Sequence, residues 1–251
     1  IALKALRLQG EVITTPFSFV ATSEALSWNG LEPVFADIQE GSYGLDPASI
    51  EASITPRTTA ILPVHCYGFP CDVEAIQRIA DDYNLKVIYD AAHAFGVECH
   101  CGSLLQHGDL SVLSFHATKV FNTFEGGAII CPDAKTKKRI DRLKNFGFVD
   151  EVTVAANGIN AKMSELHAAV GLAQLPGMEQ TVAERQRVAE LYLKELAGVP
   201  GLILPNYSNA LRPNYAYMPV RVTPGAAVDR EALMEQLRAQ GIVPRRYFHP
   251  L

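Results

Sequence analysis

Lys86-Val87-Ile88-Tyr89-Asp90 is a short apolar run that ends on an acid, and the chain repeats this pattern on either side. Before it, Asp72 predicts the cap of a helix over 73–83, in which Ile76, Ile79 and Ala80 fall at helical spacing. After it, Leu110-Ser111-Val112-Leu113-Ser114 and Gly127-Ala128-Ile129-Ile130-Cys131 read as two further strands. Further upstream, strands are expected at 12–15, 34–38 and 59–64. Helices are expected over 19–29, with Gly30 near its stop, and over 48–53, opened by Asp46 or Pro47. Strands that are apolar almost throughout and alternate with helices argue for an α/β fold, a sheet covered by helices.

Toward the C-terminus, 135–145 reads as a polar helix with a solvated face, and 163–172 opens another. Pro176 interrupts it before a long charged helix over 179–196. Gly198-Val199-Pro200-Gly201 marks a boundary, beyond which a strand over 217–222 and a helix over 230–240 begin a second α/β unit. The expected division is therefore 1–197, a large domain with its connecting helix, and 198–251, the start of a smaller one. The opening residues, Ile1 to Leu6, read as the end of an amphipathic helix, as if the chain began at an internal point.

With 22 basic and 27 acidic residues, the formal charge of -5 offers no basic patch for nucleic acid. No apolar run approaches the length of a membrane span. Five loosely spaced cysteines, Cys66, Cys71, Cys99, Cys101 and Cys131, are no disulfide framework and suit a reducing, cytoplasmic setting. Cys99 and Cys101 bracket His100, but no second close pair completes a zinc site. They are read as buried or incidental thiols, and no metal is expected.

The chemistry lies beyond the strand ends, where open α/β sheets bind ligands. Asp90 ends one strand and begins Asp90-Ala91-Ala92-His93-Ala94. Ser114 ends the next and begins Ser114-Phe115-His116-Ala117-Thr118-Lys119, followed by Glu125-Gly126-Gly127. An acid, a hydroxyl and an amine in this order are what a lysine holding pyridoxal phosphate as an imine requires. Lys119 supplies the amine, Asp90 keeps the pyridine nitrogen protonated, and Ser114 offers the phosphate a donor. The competing roles are a solvated lysine, a helix-capping aspartate and a small serine at a strand end.

Four segments in order carry a resemblance: 11–19 (Glu-Val-Ile-Thr-Thr-Pro-Phe-Ser-Phe), the Asp90 block, the block from Ser114 to Gly127, and 158–165 (Gly-Ile-Asn-Ala-Lys-Met-Ser-Glu). From Glu11 to about Leu175 the chain resembles the nucleotide-sugar aminotransferases that act on keto-deoxysugars, a branch of the fold-type I pyridoxal phosphate enzymes. Within the branch, the Asp90 and Lys119 blocks look most like enzymes that aminate C4 of dTDP-4-keto-6-deoxyglucose.

The resemblance implies a mainly parallel sheet flanked by helices, a homodimer with shared active sites, and L-glutamate and a nucleotide-linked keto sugar as substrates. It also implies work in deoxysugar supply, for lipopolysaccharide or O-antigen. By the same resemblance Lys119 and Asp90 are catalytic, and Phe19 stacks on the cofactor ring, although Phe17 competes for that place and either could be core. His93 contacts the ring or its phenolic oxygen where many relatives have glutamine. Asn160 reaches the phosphate of the other subunit's cofactor, or else caps the helix near Met163. Arg245, Arg246 and Tyr247 resemble a segment near the nucleotide sugar, with a basic surface pair as the alternative. Glu125, Gly126 and Gly127 shape the turn after the lysine. A Gly-Thr segment for the phosphate is expected upstream of residue 1, and the family's chains run on past Leu251. Retention of Lys119 argues against the related dehydratases, which carry histidine there. Amination at C3, a UDP-linked sugar, or a truncated paralogue acting as a binding subunit remain the alternatives.

Overall fold

The structure, a computed structural model, describes residues 1–248. Helix α1 (Ala2–Leu6) leads into β1 (Glu11–Thr14), α2 (Ala21–Trp28), β2 (Glu32–Phe35), α3 (Pro47–Ala52), β3 (Thr58–Ile61), α4 (Val73–Tyr83) and β4 (Lys86–Asp90). A small hairpin, β5 (Glu98–Cys99) and β6 (Gly102–Ser103), precedes β7 (Leu110–Ser114) and β8 (Gly127–Ile130). Then come α5 (Ala134–Leu143), α6 (Glu165–Gln174), α7 (Met178–Glu195), β9 (Leu202–Ile203), β10 (Arg221–Val222) and α8 (Arg230–Ala239). The last three residues of the expected smaller domain lie outside the described residues.

Six strands form one sheet in the order β2-β1-β3-β4-β7-β8. All neighbours are parallel except β7 and β8, which run antiparallel and are joined by the segment 115–126. The period of two along each strand divides the core. Ile13, Ile61, Val87, Tyr89 and Leu113 face one cluster, with Ile50 of α3 and Ile76 and Ile79 of α4. Val12, Ala60, Ile88 and Leu110 face the other, with Leu3 of α1, Leu26 of α2, and Ile140 and Leu143 of α5. Burial on both faces is why these strands are apolar almost throughout.

Helix starts agree with their side-chain chemistry. Asp46, Asp72, Asp133, Ser164 and Asp229 each accept a backbone N–H from the first turn of α3, α4, α5, α6 and α8. Two expected strands are corrected. The strand expected at 34–38 lies at Glu32–Phe35, beginning where Glu32 N–H donates to Gly10 O and leaving only an isolated Ile38–Leu45 bridge beyond. The strand expected over 217–222 shrinks to Arg221–Val222. Pro219 has no N–H to give, and Tyr217 packs through its ring while its carbonyl accepts from Tyr207 Oη.

His65, just beyond β3, is fully buried and stacks on Tyr89 with ring centroids 4.5 Å apart and an interplanar angle of 7°. Its Nδ1 accepts from Cys71 N–H at 3.2 Å, so the proton sits on Nε2. Burial, reinforced by nearby His107, drives its pKa from 6.5 to about 3. The folded state therefore binds fewer protons than the unfolded one between these values. The stability from keeping His65 neutral is complete above pH 6.5 and drains as the pH falls toward 3. By pH 5 this one ring should cost about 2 kcal/mol. Urea midpoints from pH 7 to 5 should drop accordingly, and His65→Asn, though less stable at pH 7, should show a shallower drop.

Candidate functional site

The carboxylate of Asp90 emerges at the end of β4, between β3 and β7. Its backbone is held on both sides: its N–H donates to Pro63 O, and it pairs with Val112. The side chain is held as firmly. Oδ2 accepts from Thr22 Oγ1 at 2.8 Å, and Oδ1 accepts from Ala92 N–H at 3.1 Å. Thr22 spends its proton on Asp90, so Ser18 Oγ, 2.7 Å away, donates to the threonine oxygen. The chain Ser18 to Thr22 to Asp90 thus fixes one carboxylate orientation. Asp90 caps no helix here.

Ser114 ends β7 and is paired with Gly127 of β8. Its Oγ accepts from His116 N–H at 3.3 Å. Between them the chain folds back through Lys119, closed by bonds from Phe115 N–H to Gly126 O, Lys119 N–H to His116 O, and Thr123 N–H to Phe115 O. A Cβ on Gly127 would come within 2.6 Å of Leu113 O, so the return strand needs glycine there. Glu125 is exposed, with its Oε1 3.8 Å from His116 Nε2. The Lys119 amine is partly buried, which holds its pKa below the usual lysine range. Arg245 pushes in the same direction, and the Asp90 carboxylate opposes both. A larger share of neutral amine makes Lys119 a better nucleophile and proton acceptor than a surface lysine.

Asp90, Thr22, Ala92, Ser114, Gly127 and Met163 line one cleft of about 880 Å³, which continues across β8 toward Ala2 and Leu3. His93 lies three residues beyond Asp90. Its Nδ1 accepts from Tyr67 N–H at 3.0 Å, and its ring stacks on Tyr67 and leans on Tyr217. Burial, with Lys119 adding to it, lowers its pKa from 6.5 to about 3. His93 is therefore neutral, with Nε2–H left as a donor. Asn214, buried and far along the sequence, secures this turn by donating from Nδ2 to His93 O and Phe95 O.

The two phenylalanines separate. Phe17 is enclosed by aromatic rings, stacked on Tyr43 at 5.8 Å and edge-on to Phe248 at 5.1 Å. Phe19 is 56% exposed beside the N-terminus of α2. Arg245 and Arg246 separate too. Arg245 lies over the Tyr247 ring, 5.4 Å from its centroid, and acts on Lys119, whereas Arg246 is paired with Glu231 of α8 at 2.8 Å. Tyr247 packs edge-on against Tyr67 and Tyr217. Asn160 is exposed in a segment pinned to the end of α5, where Ile159 N–H donates to Leu143 O and Ala161 N–H to Lys144 O. The cap of α6 is Ser164, whose Oγ accepts from His167 N–H, so Asn160 does not serve there.

Thr22, Ser18, Tyr67, Tyr217 and Asn214 were not singled out from sequence. Thr22 sits mid-pattern in a helix, with nothing local to mark its partner 68 residues away.

The residues present suit pyridoxal phosphate. An oriented carboxylate and a hydroxyl at a strand end share the cleft at the carboxyl ends of β4 and β7, and an amine with lowered pKa interacts electrostatically with that carboxylate and with a neutral imidazole donor, the last two lying outside the cleft lining. Comparison with known proteins agrees. The chain is 53% identical over 250 residues to a dTDP-4-amino-4,6-dideoxy-D-glucose transaminase from Shigella dysenteriae, covering 100% of this chain and 68% of that protein. It superimposes on the crystal structure of DesI, determined in the presence of its TDP-sugar product, with a TM-score of 0.94 and 39% identity, covering 99% of this chain and 64% of that one. It also matches NtdA of Bacillus subtilis, solved with bound cofactor PMP, with a TM-score of 0.89 and 32% identity, over 100% of this chain and 57% of that one. The chain thus spans about two thirds of the length of such relatives. The family model for the DegT/DnrJ/EryC1/StrS aminotransferases matches residues 1–251, and the chain belongs to that family.

Proposed function

We propose that this protein transfers an amino group from L-glutamate to a 4-keto-6-deoxy nucleotide sugar, dTDP-4-keto-6-deoxyglucose, using pyridoxal 5′-phosphate. The observation that carries this is the partly buried Lys119 amine on the β7–β8 reversal, acted on by the carboxylate of Asp90. The choice of sugar is supported by the Shigella dysenteriae relative, which is named for the 4-amino-4,6-dideoxy product. When bound, pyridoxal phosphate supplies an electron sink for the pair left as a proton leaves the donor's Cα.

This chain's residues do the rest. Asp90, oriented by Thr22 and Ala92, sets a negative charge against the protonated pyridine nitrogen. Lys119 Nζ would take the proton from the donor's Cα and, in the second half-reaction, deliver to the sugar's C4 a proton given up by the cofactor. His93 Nε2–H would be a donor for the cofactor ring, and Ser114 Oγ–H a donor for its phosphate. Phe19 is assigned to the ring face because Phe17 is already enclosed by other rings. Arg245 is assigned to the sugar diphosphate, with Tyr247 beneath its guanidinium. Arg246, paired with Glu231, is an outer contributor.

A homodimer is part of the proposal. Helix α6 is largely apolar, yet Leu166 is 81% and Leu172 71% exposed and only Gly171 is buried. Such a face calls for a partner. Asn160, exposed in the segment leading to this helix, is assigned to the phosphate in the other subunit. Residues 1–197 are assigned to the large cofactor domain and those from 198 onward to the smaller one. Five free cysteines suit a reducing, cytoplasmic setting, and no helix among the described residues is long and apolar enough to cross a membrane.

In the full-length protein, borohydride reduction should fix the cofactor to the peptide containing Lys119. Lys119→Ala should abolish that adduct and lower transamination by roughly 100- to 10,000-fold. An active Lys119→Ala enzyme would refute the assignment. Asp90→Asn should lower kcat by on the order of 100-fold, with no rescue by excess glutamate. Thr22→Val removes one bond to that carboxylate, worth about 1.5–3 kcal/mol, and should cost roughly tenfold or more in kcat/KM. Asn160→Ala should weaken cofactor retention. Mixed with Lys119→Ala, it should regain activity above either alone, since one site of each heterodimer has both residues intact. Heterodimers seen by native mass spectrometry without recovered activity would count against the shared site.

A further inference from the structure

Three potential metal ligands meet away from the cleft. Cys99 ends β5, Cys101 lies in the turn of the hairpin, and His107 follows on the approach to β7. His107 Nε2 is 3.4 Å from Cys99 Sγ and 3.3 Å from Cys101 Sγ, and the three atoms all lie within 4.8 Å of one another. The sequence pattern Cys-His-Cys points to His100, but the imidazole that reaches both sulfurs is six residues beyond Cys101.

Hydrogen bonding alone accounts poorly for this triangle. A neutral imidazole nitrogen carries either one lone pair or one proton, so Nε2 bonds one thiol well and not both. Cys99 Sγ also approaches Gly102 O at 3.3 Å, which uses a single thiol proton. A tetrahedral zinc ion with Zn–S of about 2.3 Å and Zn–N of about 2.0–2.1 Å sets its ligand atoms roughly 3.5–3.8 Å apart. The sulfur–nitrogen separations here need to open by only a few tenths of an ångström. The exposed Glu74 of α4 adds negative charge to the same locality.

We propose that Cys99, Cys101 and His107 bind a zinc-class divalent cation through Sγ, Sγ and Nε2, with the fourth position open to water. On binding, both thiols release their protons to solvent and no electrons are exchanged. Thiolate and imidazole together favour zinc or its spectroscopic stand-in cobalt over magnesium or calcium. The ion would clamp the segment between Asp90 and Ser114, the only covalent route from one cofactor strand to the other, without touching the cofactor groups.

The test uses full-length protein purified under reductant and stripped with a chelator. Titration with Zn²⁺ against a chromophoric chelator should show a single equivalent bound per chain, and Co²⁺ should give thiolate-to-metal charge-transfer absorption. Zinc should protect Cys99 and Cys101 from alkylation. Cys101→Ser, at an exposed position, and His107→Ala should each weaken Zn²⁺ binding by on the order of 100-fold or more, beyond what loss of an outer-shell partner costs. Cys131→Ser should bind like the parent. Circular dichroism of each metal-free variant separates lost ligands from lost folding, and Cys101→Ser suffices if His107→Ala unfolds. Zinc binding no tighter in the parent than in folded Cys101→Ser, cobalt spectra without charge transfer, or a Cys99–Cys101 disulfide in protein isolated under reductant would each overturn the site.

Discussion

The bond from Thr22 Oγ1 to Asp90 Oδ2 ties α2 to the end of β4 at the candidate cofactor site. Asp90 belongs to β4 in the middle of the sheet, and Thr22 to the helix that follows β1. A carboxylate that is only partly buried would otherwise rotate among several orientations. Two donors, a hydroxyl and the Ala92 N–H, take opposite oxygens and leave one orientation. The hydroxyl is itself fixed by Ser18, so the order reaches back into the segment between β1 and α2. Electrostatic preorganisation of this kind acts only if the charge is already in place when the reaction begins.

A second constraint is electrostatic. Burial lowers the pKa of both Lys119 and His93, and the charge of Lys119 adds to the cost of charging His93. His93 is the more deeply committed, since its Nδ1 is already an acceptor for Tyr67 N–H. The site therefore holds one negative group, one amine poised to change charge and one imidazole that stays neutral. Cationic Arg245 sits at the margin, where it acts on Lys119 from the side of the nucleotide sugar in the proposed arrangement.

Much of this was legible in the chain. Strands such as Leu110–Ser114, buried on two faces, announce themselves by composition, and helix starts such as Asp72 by their capping side chains. The strand ends at Asp90 and Ser114, from which the candidate site was read, were legible too. Elements held by ring packing were not: the run at 217–222 is β-like in composition, yet Tyr217 is engaged by Tyr67 and His93 instead of a ladder. Thr22, Asn214 and His107 were invisible for a related reason. Each acts on a partner brought close by the tertiary fold, and no local pattern marks a threonine in a helix or a histidine in a loop for that duty.

The antiparallel β7–β8 pair has a consequence for how this protein can evolve. Ser114 and Gly127 face each other across the ladder, so the reversal holding Lys119 is measured out from a fixed baseline. Strand side chains alternate faces, so a one-residue insertion within β7 would turn Ser114 to the opposite side and carry Lys119 with it. Length variation among descendants of this chain should be purged from β7 to β8, leaving spacing a stricter heirloom than residue identity.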